Sequence, residues 1–380
     1  MAIYLDHAAT TPIDPDVWEA MLPYFGAVYG NASSQHAAGR AAEVAVDRAR
    51  EGVAAVLGAA SGEVYFTSGG TESDNWALKG VASANRDRGR HIVATAIEHH
   101  AVLNALRQLA QQGYDITYVP VDERGIVDVE TYASAIREDT VLATCMYVNN
   151  EVGTIQPIAE IGAICRERGV LFHTDAVQAV GVSELDVTRL NVDLMSLSGH
   201  KFYAPKGVGT LYVRKGVRIE PLLAGGAQER GLRGGTYNTP AIVGLSVALQ
   251  KAAANASADC ERLRSIRDAF VDKVRARIEG VCLNGDERLR SPANANLRFA
   301  GVSGERILIG LDLASIYVGM GSACTAGTTE PSHVLLAMGL TRLDAESSVR
   351  FTFGKENTMQ EADIVADALQ AVVARLRALK

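Results

Sequence analysis

The sequence predicts an α/β protein with a mostly parallel central sheet and a smaller α+β unit. Three observations predict it. Between residues 50 and 250, short runs that are apolar on both faces alternate with helical spacing. The turns after those runs collect glycines and ionisable residues, and the texture changes beyond residue 250. Strands apolar on both faces need helices on both sides, which is how a parallel sheet is covered.

Seven runs supply the strands: EVYFTS, HIVATAIE, DITYVPV, VLATCMYV, VLFHTDA, DLMSLS and GTLYVR. Helical spacing occupies 74–85, 100–112, 130–138 and 158–168 between them. A long helical pattern at 244–278 leads to RSPANANLRFAG, a further helix, the loop GMGSACTAG, the strand-like SSVRFTFG and an amphipathic helix at 359–379. The first residues read as an extended arm. This divides the chain into a large unit, 15–255, and a small unit, 1–14 with 256–380, which carries the loop.

The chain has 380 residues, 48% of them hydrophobic and 21% charged, enough for a large core. A net charge of -7 with no basic stripe argues against nucleic acid as a partner. No apolar run reaches the ~18 residues of a membrane span, and MAIYLDHAATTPIDPD lacks the pattern of a signal peptide. Five cysteines, with no C-x-x-C pair, point to a reducing cytoplasm rather than a disulfide framework. Cys145 and Cys165 sit in apolar runs and read as core.

Ligands of open α/β sheets collect at the carboxyl ends of the strands. After EVYFTS comes Gly69-Gly70-Thr71-Glu72-Ser73, a phosphate cup at a helix start or an ordinary cap. After HIVATAIE come His99 and His100, either a ring stacker and proton carrier or solvated helix-start residues. After VLATCMYV, Asn149 and Asn150 are ligand amides or turn residues. After VLFHT comes Asp175, costly on an apolar strand unless paired, with Gln178 one turn on; a capping aspartate is the alternative. After DLMSLS, Lys201 lies between Ser198–His200 and a loop, where a lowered pKa suits a Schiff base; a surface lysine is the alternative. Lys206 reads as an exposed turn residue. Taken together, a phosphate cup, a ring stacker, a carboxylate for a pyridine nitrogen and a Schiff-base lysine are the parts that pyridoxal 5'-phosphate needs.

The sequence closely resembles the cysteine desulfurases of the NifS/IscS type, pyridoxal-phosphate-dependent transferases of the aspartate aminotransferase-like fold type I. YLDHAATTP, FTSGGTESDN, EHHAV, VNNEVGTIQP, HTDAVQAVG, SLSGHKFYAPKGVG, RGGT, GSACTAG with EPSHVL, and VRFTFG carry the resemblance along the whole chain. The resemblance implies that Lys201 forms the Schiff base, His99 stacks on the ring and assists proton transfer, Asp175 pairs with the ring nitrogen and Gln178 bonds the ring oxygen. It implies that Gly70, Thr71, Ser198 and His200 hold the phosphate, and that Thr236 reaches the phosphate of a neighbouring subunit, hence a homodimer. Asn150 and Arg350 would grip the substrate carboxylate. Two departures are Asn31-Ala32-Ser33-Ser34, where the family usually has N-P-S-S, and RGGT, where RSGT is frequent.

The same resemblance implies that Cys324 takes sulfur from L-cysteine as a persulfide, leaving L-alanine. Gly319, Gly321, Ala323, Ala326 and Gly327 give its loop backbone freedom. Direct transfer to an iron–sulfur scaffold or a tRNA-thiolation enzyme is implied, with Cys324 a possible iron–sulfur ligand in passing. The alternative on the same fold is a selenocysteine lyase or cysteine sulfinate desulfinase.

Overall fold

A computed structural model describes residues 2–321 and 330–379. Its strands are β1 (Ile3–Leu5), β2 (Val64–Thr67), β3 (His91–Thr95), β4 (Asp115–Val119), β5 (Thr140–Thr144), β6 (Leu171–Asp175), β7 (Leu194–Ser198), β8 (Gly209–Val213), β9 (Val281–Asn284), β10 (Asn294–Phe299), β11 (Ile316–Val318) and β12 (Ser348–Thr352). The helices are α1 (Pro15–Met21), α2 (Ala37–Leu57), α3 (Gly70–Ala84), α4 (His100–Gln111), α5 (Val129–Ser134), α6 (Ile158–Glu167), α7 (Thr239–Arg277), α8 (Gly304–Asp312), α9 (His333–Ala337), α10 (Arg342–Glu346) and α11 (Met359–Ala378).

All seven apolar runs form one sheet, in the order β2-β8-β7-β6-β5-β3-β4. The pairs β3–β4, β3–β5, β5–β6 and β6–β7 are parallel. β8 runs antiparallel to both β2 and β7. Residues 199–208 join β7 to β8, and a parallel return needs a crossover of about a dozen residues or more. The short connection therefore forces the reversal and places Lys201 in the turn.

Helices cover both faces. Trp76, Leu78 and Leu106 pack on one side, and Val53, Leu57 and Ile161 on the other. Each such side chain contributes roughly 1.5–3 kcal/mol when buried. A separate core of Phe270, Phe299, Phe351, Phe353 and Leu369 sits under the sheet β12-β10-β9. α7 joins the two cores, with Leu245 and Leu249 in the first and Phe270 and Val274 in the second. It begins at Thr239, earlier than its spacing shows, because Asn238 caps it and a proline fits the first turn. The arm residue Leu5 pairs with Val318 as β1 joins β11 in parallel. Cys145 and Cys165 are buried core residues, as the sequence indicates.

Candidate active site

A cleft of about 600 Å³ opens at the carboxyl ends of β2, β3, β5, β6 and β7. Small-ligand sites span roughly 300–1,000 Å³, so it admits a cofactor with a substrate. Ten expected site residues line it together: Gly70, Thr71, His99, Asn150, Asp175, Gln178, Ser198, His200, Lys201 and Arg350. Thr236 does not. It is exposed on the loop before α7. Cys324 lies outside the described residues. Gly321 and His333, on either side of it in sequence, both line the cleft.

The cup is built by α3. Its N-cap is Gly69 at φ 151°, a conformation that favours glycine, and no side chain caps the helix. A Cβ on Gly70 would stand 2.8 Å from Val177 Cγ2 and 3.3 Å from Ser198 Cβ, so the helix start packs directly on the ends of β6 and β7. Glu72 would place an anion beside the cup, but Arg233 pairs with it at 2.8 and 3.0 Å. An uncapped helix start with its nearby carboxylate neutralised is an anion site. This favours the cup over the ordinary-cap reading.

Lys201 Nζ donates to the carbonyls of Ala8 and Ala9 at 2.7 and 2.9 Å. Those carbonyls belong to the N-terminal arm, and nothing in their residue types announces them. Gln178 Nε2 donates to Ala8 O at 2.9 Å and so shares the same anchor. His99 caps α4 by accepting from Ala101 N at 3.2 Å, and it also faces the cleft. Burial first, and then Lys201, lower its pKa to about 4, so it is a neutral base at pH 7. His200 is lowered to about 4 by the same two causes, and its Nδ1 meets Thr10 Oγ1 at 3.1 Å.

Asp175 is 5% exposed and accepts from Val177 N at 3.0 Å. Its carboxylate, that of Asp74 and a ring nitrogen of His99 all lie within 4.8 Å of one another. Burial raises the carboxyl pKa of Asp175 to about 6, against the lowering effects of the Val177 N–H and then of Lys201. Arg350 is almost fully buried on β12. Its Nη1 donates to Asn150 O (2.9 Å) and Gly321 O (3.1 Å), and its Nη2 pairs with Asp6 at 2.8 Å. Among the described residues its Nε is buried without a hydrogen-bond partner, and the three bonds above leave Nε–H and one Nη2–H for an incoming anion. Asn149 behaves as a turn residue, its Oδ1 accepting from Glu151 N and Val152 N at 2.9 Å. Lys206 is exposed, as expected, at the rim.

Asp74, Glu98, Thr10, Arg233 and His333 escaped the sequence reading. Glu98, raised to about 7 mainly by burial, accepts from Thr95 Oγ1 and Met146 N below the cleft. The TESDN segment holds Asp74, but a helical aspartate carries no sign that it faces inward.

These residues fit pyridoxal 5'-phosphate: an anion cup, a buried carboxylate for a protonated ring nitrogen, and a lysine at one cleft. The fold and site define a pyridoxal-phosphate-dependent transferase of the class-V aminotransferase type. Residues 3–365 match the model of the aminotransferase class-V family. The chain is similar to curated cysteine desulfurases named IscS. That of Methanosarcina thermophila is 48% identical over 376 residues, covering 99% of this chain and 93% of the relative. That of Clostridium botulinum (strain Hall) is 46% identical over 377 residues, covering 99% and 95%. Among solved structures, a NifS-like protein superposes with a TM-score of 0.94 at 38% identity, covering 99% of this chain and all of its own. Another, described as SspA in complex with cysteine, gives 0.82 at 36% identity, covering 92% and 98%. The chain belongs to the class-V aminotransferase family and, within it, to the cysteine desulfurases.

Proposed function

We propose that this protein removes sulfur from L-cysteine, yielding L-alanine and a persulfide on Cys324. The gathering of an uncapped helix start, Lys201, Asp175, His99 and Arg350 in one cleft carries the reading. Lys201 would anchor pyridoxal phosphate covalently, the start of α3 with Ser198 and His200 would take its phosphate, and Asp175 would pair with its ring nitrogen. When bound, the cofactor supplies the electron sink that makes the substrate's Cα–H and Cβ–S bonds labile.

Arg350 binds the substrate carboxylate through its unengaged Nε–H and Nη2–H, with Asn150 beside it. A guanidinium suits that task because it orients a carboxylate by its fork. Neutral His99 accepts a proton from the substrate side of the cleft and returns it. The thiolate of Cys324 then attacks the substrate sulfur: an S–S bond forms, the C–S bond breaks, and the carbon skeleton leaves as alanine. In total, L-cysteine and a thiol become L-alanine and a persulfide, with no external oxidant. A thiol with a pKa near 8.5 is a few per cent thiolate at neutral pH, so a neutral base close by is useful.

Two copies of the chain form the working unit, and Thr236 of one would reach the cofactor phosphate of the other. Trp18, Leu22, Phe25 and Tyr29 are exposed in the single chain, an apolar stretch that association would cover. The persulfide passes to a protein acceptor in the cytoplasm, such as an iron–sulfur scaffold or a tRNA-thiolation enzyme.

The test is alanine released from L-cysteine with a reductant, by the wild type and Cys324→Ala in parallel. Activity in the wild type, lost in a variant that still shows the cofactor's absorbance change on adding cysteine, supports the reading. Equal activity in both would remove Cys324 as acceptor and favour a selenocysteine-lyase type of reaction.

A further inference from the structure

The floor of the cleft holds a second carboxyl group that the reaction above leaves unexplained. Asp74, on the second turn of α3, is 1% exposed and lines the cleft. Among the described residues its Oδ1 has no hydrogen-bond partner. A lone buried carboxylate is costly without a cation.

The groups around it supply none. His173, from β6, places Nε2 3.7 Å from Asp74 Oδ1, but that nitrogen is engaged by Ser196 Oγ at 3.0 Å, and Nδ1 by Thr144 Oγ1 at 2.9 Å. A ring used on both sides by hydroxyls and fully buried stays neutral, and burial holds its pKa near 3. The Ser196 hydroxyl, from β7, favours the ionised form of Asp74, but less than burial and Asp175 oppose it. The loop after β3 contributes Glu98 and His99, an acid and a neutral ring. Among the described residues, no lysine or arginine pairs with Asp74.

Asp175 is better placed for charge. It accepts the Val177 N–H and feels Lys201 directly. Two carboxylates within 4.8 Å in a buried site do not both ionise readily. Asp175 has the donors, and Asp74 has an orphaned oxygen. We propose that Asp74 is a positioning residue that stands as a neutral carboxylic acid behind Asp175, leaving the pair a single negative charge on the carboxylate with the better donors. Burial and the nearby Asp175 both act in that direction, raising the Asp74 pKa well above the carboxylate range.

The purpose of this arrangement rests on the cofactor reading: one fixed charge opposite the ring nitrogen, neither doubled nor shared. The charge state of Asp74 is a property of the chain alone and is measured without cofactor. Infrared difference spectra of the apoprotein at neutral pH are compared for wild type, Asp74→Asn and Asp175→Asn. The carbonyl band of a buried carboxylic acid disappears in Asp74→Asn and persists in Asp175→Asn. Loss of no such band in Asp74→Asn overturns the proposal.

In the loaded protein, Asp74→Asn replaces a neutral acid by a neutral amide. The apparent pKa of the bound chromophore then moves by no more than a few tenths of a unit. A fall of about a unit or more would mean that a charge had been removed, and Asp74 was ionised. Should Asp74→Asn not fold, carboxyl carbon NMR of the wild type decides. One aspartate keeps the shift of the neutral acid across about pH 6–8, where exposed aspartates are ionised; a spectrum with every aspartate ionised overturns the proposal. A protein that never binds the cofactor would sink the cofactor reading and leave the infrared result on Asp74 standing.

Discussion

Arg350 shows how much one side chain does in this site. It ties Asp6, Asn150 and Gly321 together and keeps Nε free. Lysine has no second donor set, so Arg350→Lys raises the KM for L-cysteine by roughly 10- to 100-fold, the value of one charge-assisted bond at about 1.5–3 kcal/mol. Steady-state kinetics across substrate concentration reads this, and an unchanged KM would remove Arg350 from substrate binding. Lys201→Ala, by contrast, leaves a cofactor held without a covalent bond. It washes out on gel filtration in the variant and stays yellow in the wild type. Lys201 and Asp175 were legible from residue type and place after a strand. Arg350 was not: a strand arginine reads as surface, and only resemblance pointed to it. Ala8 and Ala9 act through backbone carbonyls, which carry no side-chain signal.

At the scale of elements, two devices hold the cup in shape. The first is the contact of the α3 start with Val177. Gly70→Ala puts a methyl 2.8 Å from a stiff, β-branched side chain, so the helix start must move. Affinity for pyridoxal phosphate falls about tenfold, equivalent to about 1.4 kcal/mol, while far-UV circular dichroism is unchanged. A variant that binds as tightly as the wild type would show that the contact is slack.

The second device is the loop at 227–237. Glu229 and Arg230 are consecutive non-glycine residues at φ 46° and 59°. Arg50 grips Glu229 at 2.7 and 2.9 Å in a buried pair, and the Arg230 guanidinium lies 4.0 Å from the Tyr65 ring centre. Strain of this kind persists only when its surroundings hold it, and Thr236 follows in the same loop. Arg50→Met leaves a buried carboxylate alone and lowers the unfolding free energy by about 3–5 kcal/mol in urea titration. Glu229→Gln on that background recovers part of it. The strands were legible because each is a continuous apolar run. The loop was not, because its left-handed residues are not glycines and its anchor is 179 positions away in sequence.

For the whole molecule, acid behaviour depends on opposed groups. His7, His99 and His200 are lowered to about 4 and His173 to about 3, burial being the first cause in each. A histidine whose folded pKa is depressed contributes stability that is present above about pH 6.5 and lost on acidification. Glu98, Asp74 and Asp175 are raised by burial, and their contribution runs the other way, lost as pH rises. The overall profile is therefore shallow, and a single variant isolates one term. The destabilisation caused by His173→Gln shrinks by about 1.4 kcal/mol per pH unit between about pH 6.5 and 3. Urea midpoints for both proteins across that range check it, and a constant gap would mean that His173 titrates normally. The sequence pattern located the sheet and the change of texture past residue 250, since both are matters of hydrophobic period. It did not show that the arm crosses between the two cores.

That crossing has a practical side. β1 is pinned to β11, and three and four residues after it the same arm offers Lys201 its acceptors. A translation start assigned a dozen codons too late would yield a chain with both cores and every strand of the large sheet. Its preparations would look sound by size and circular dichroism, and they would be pale.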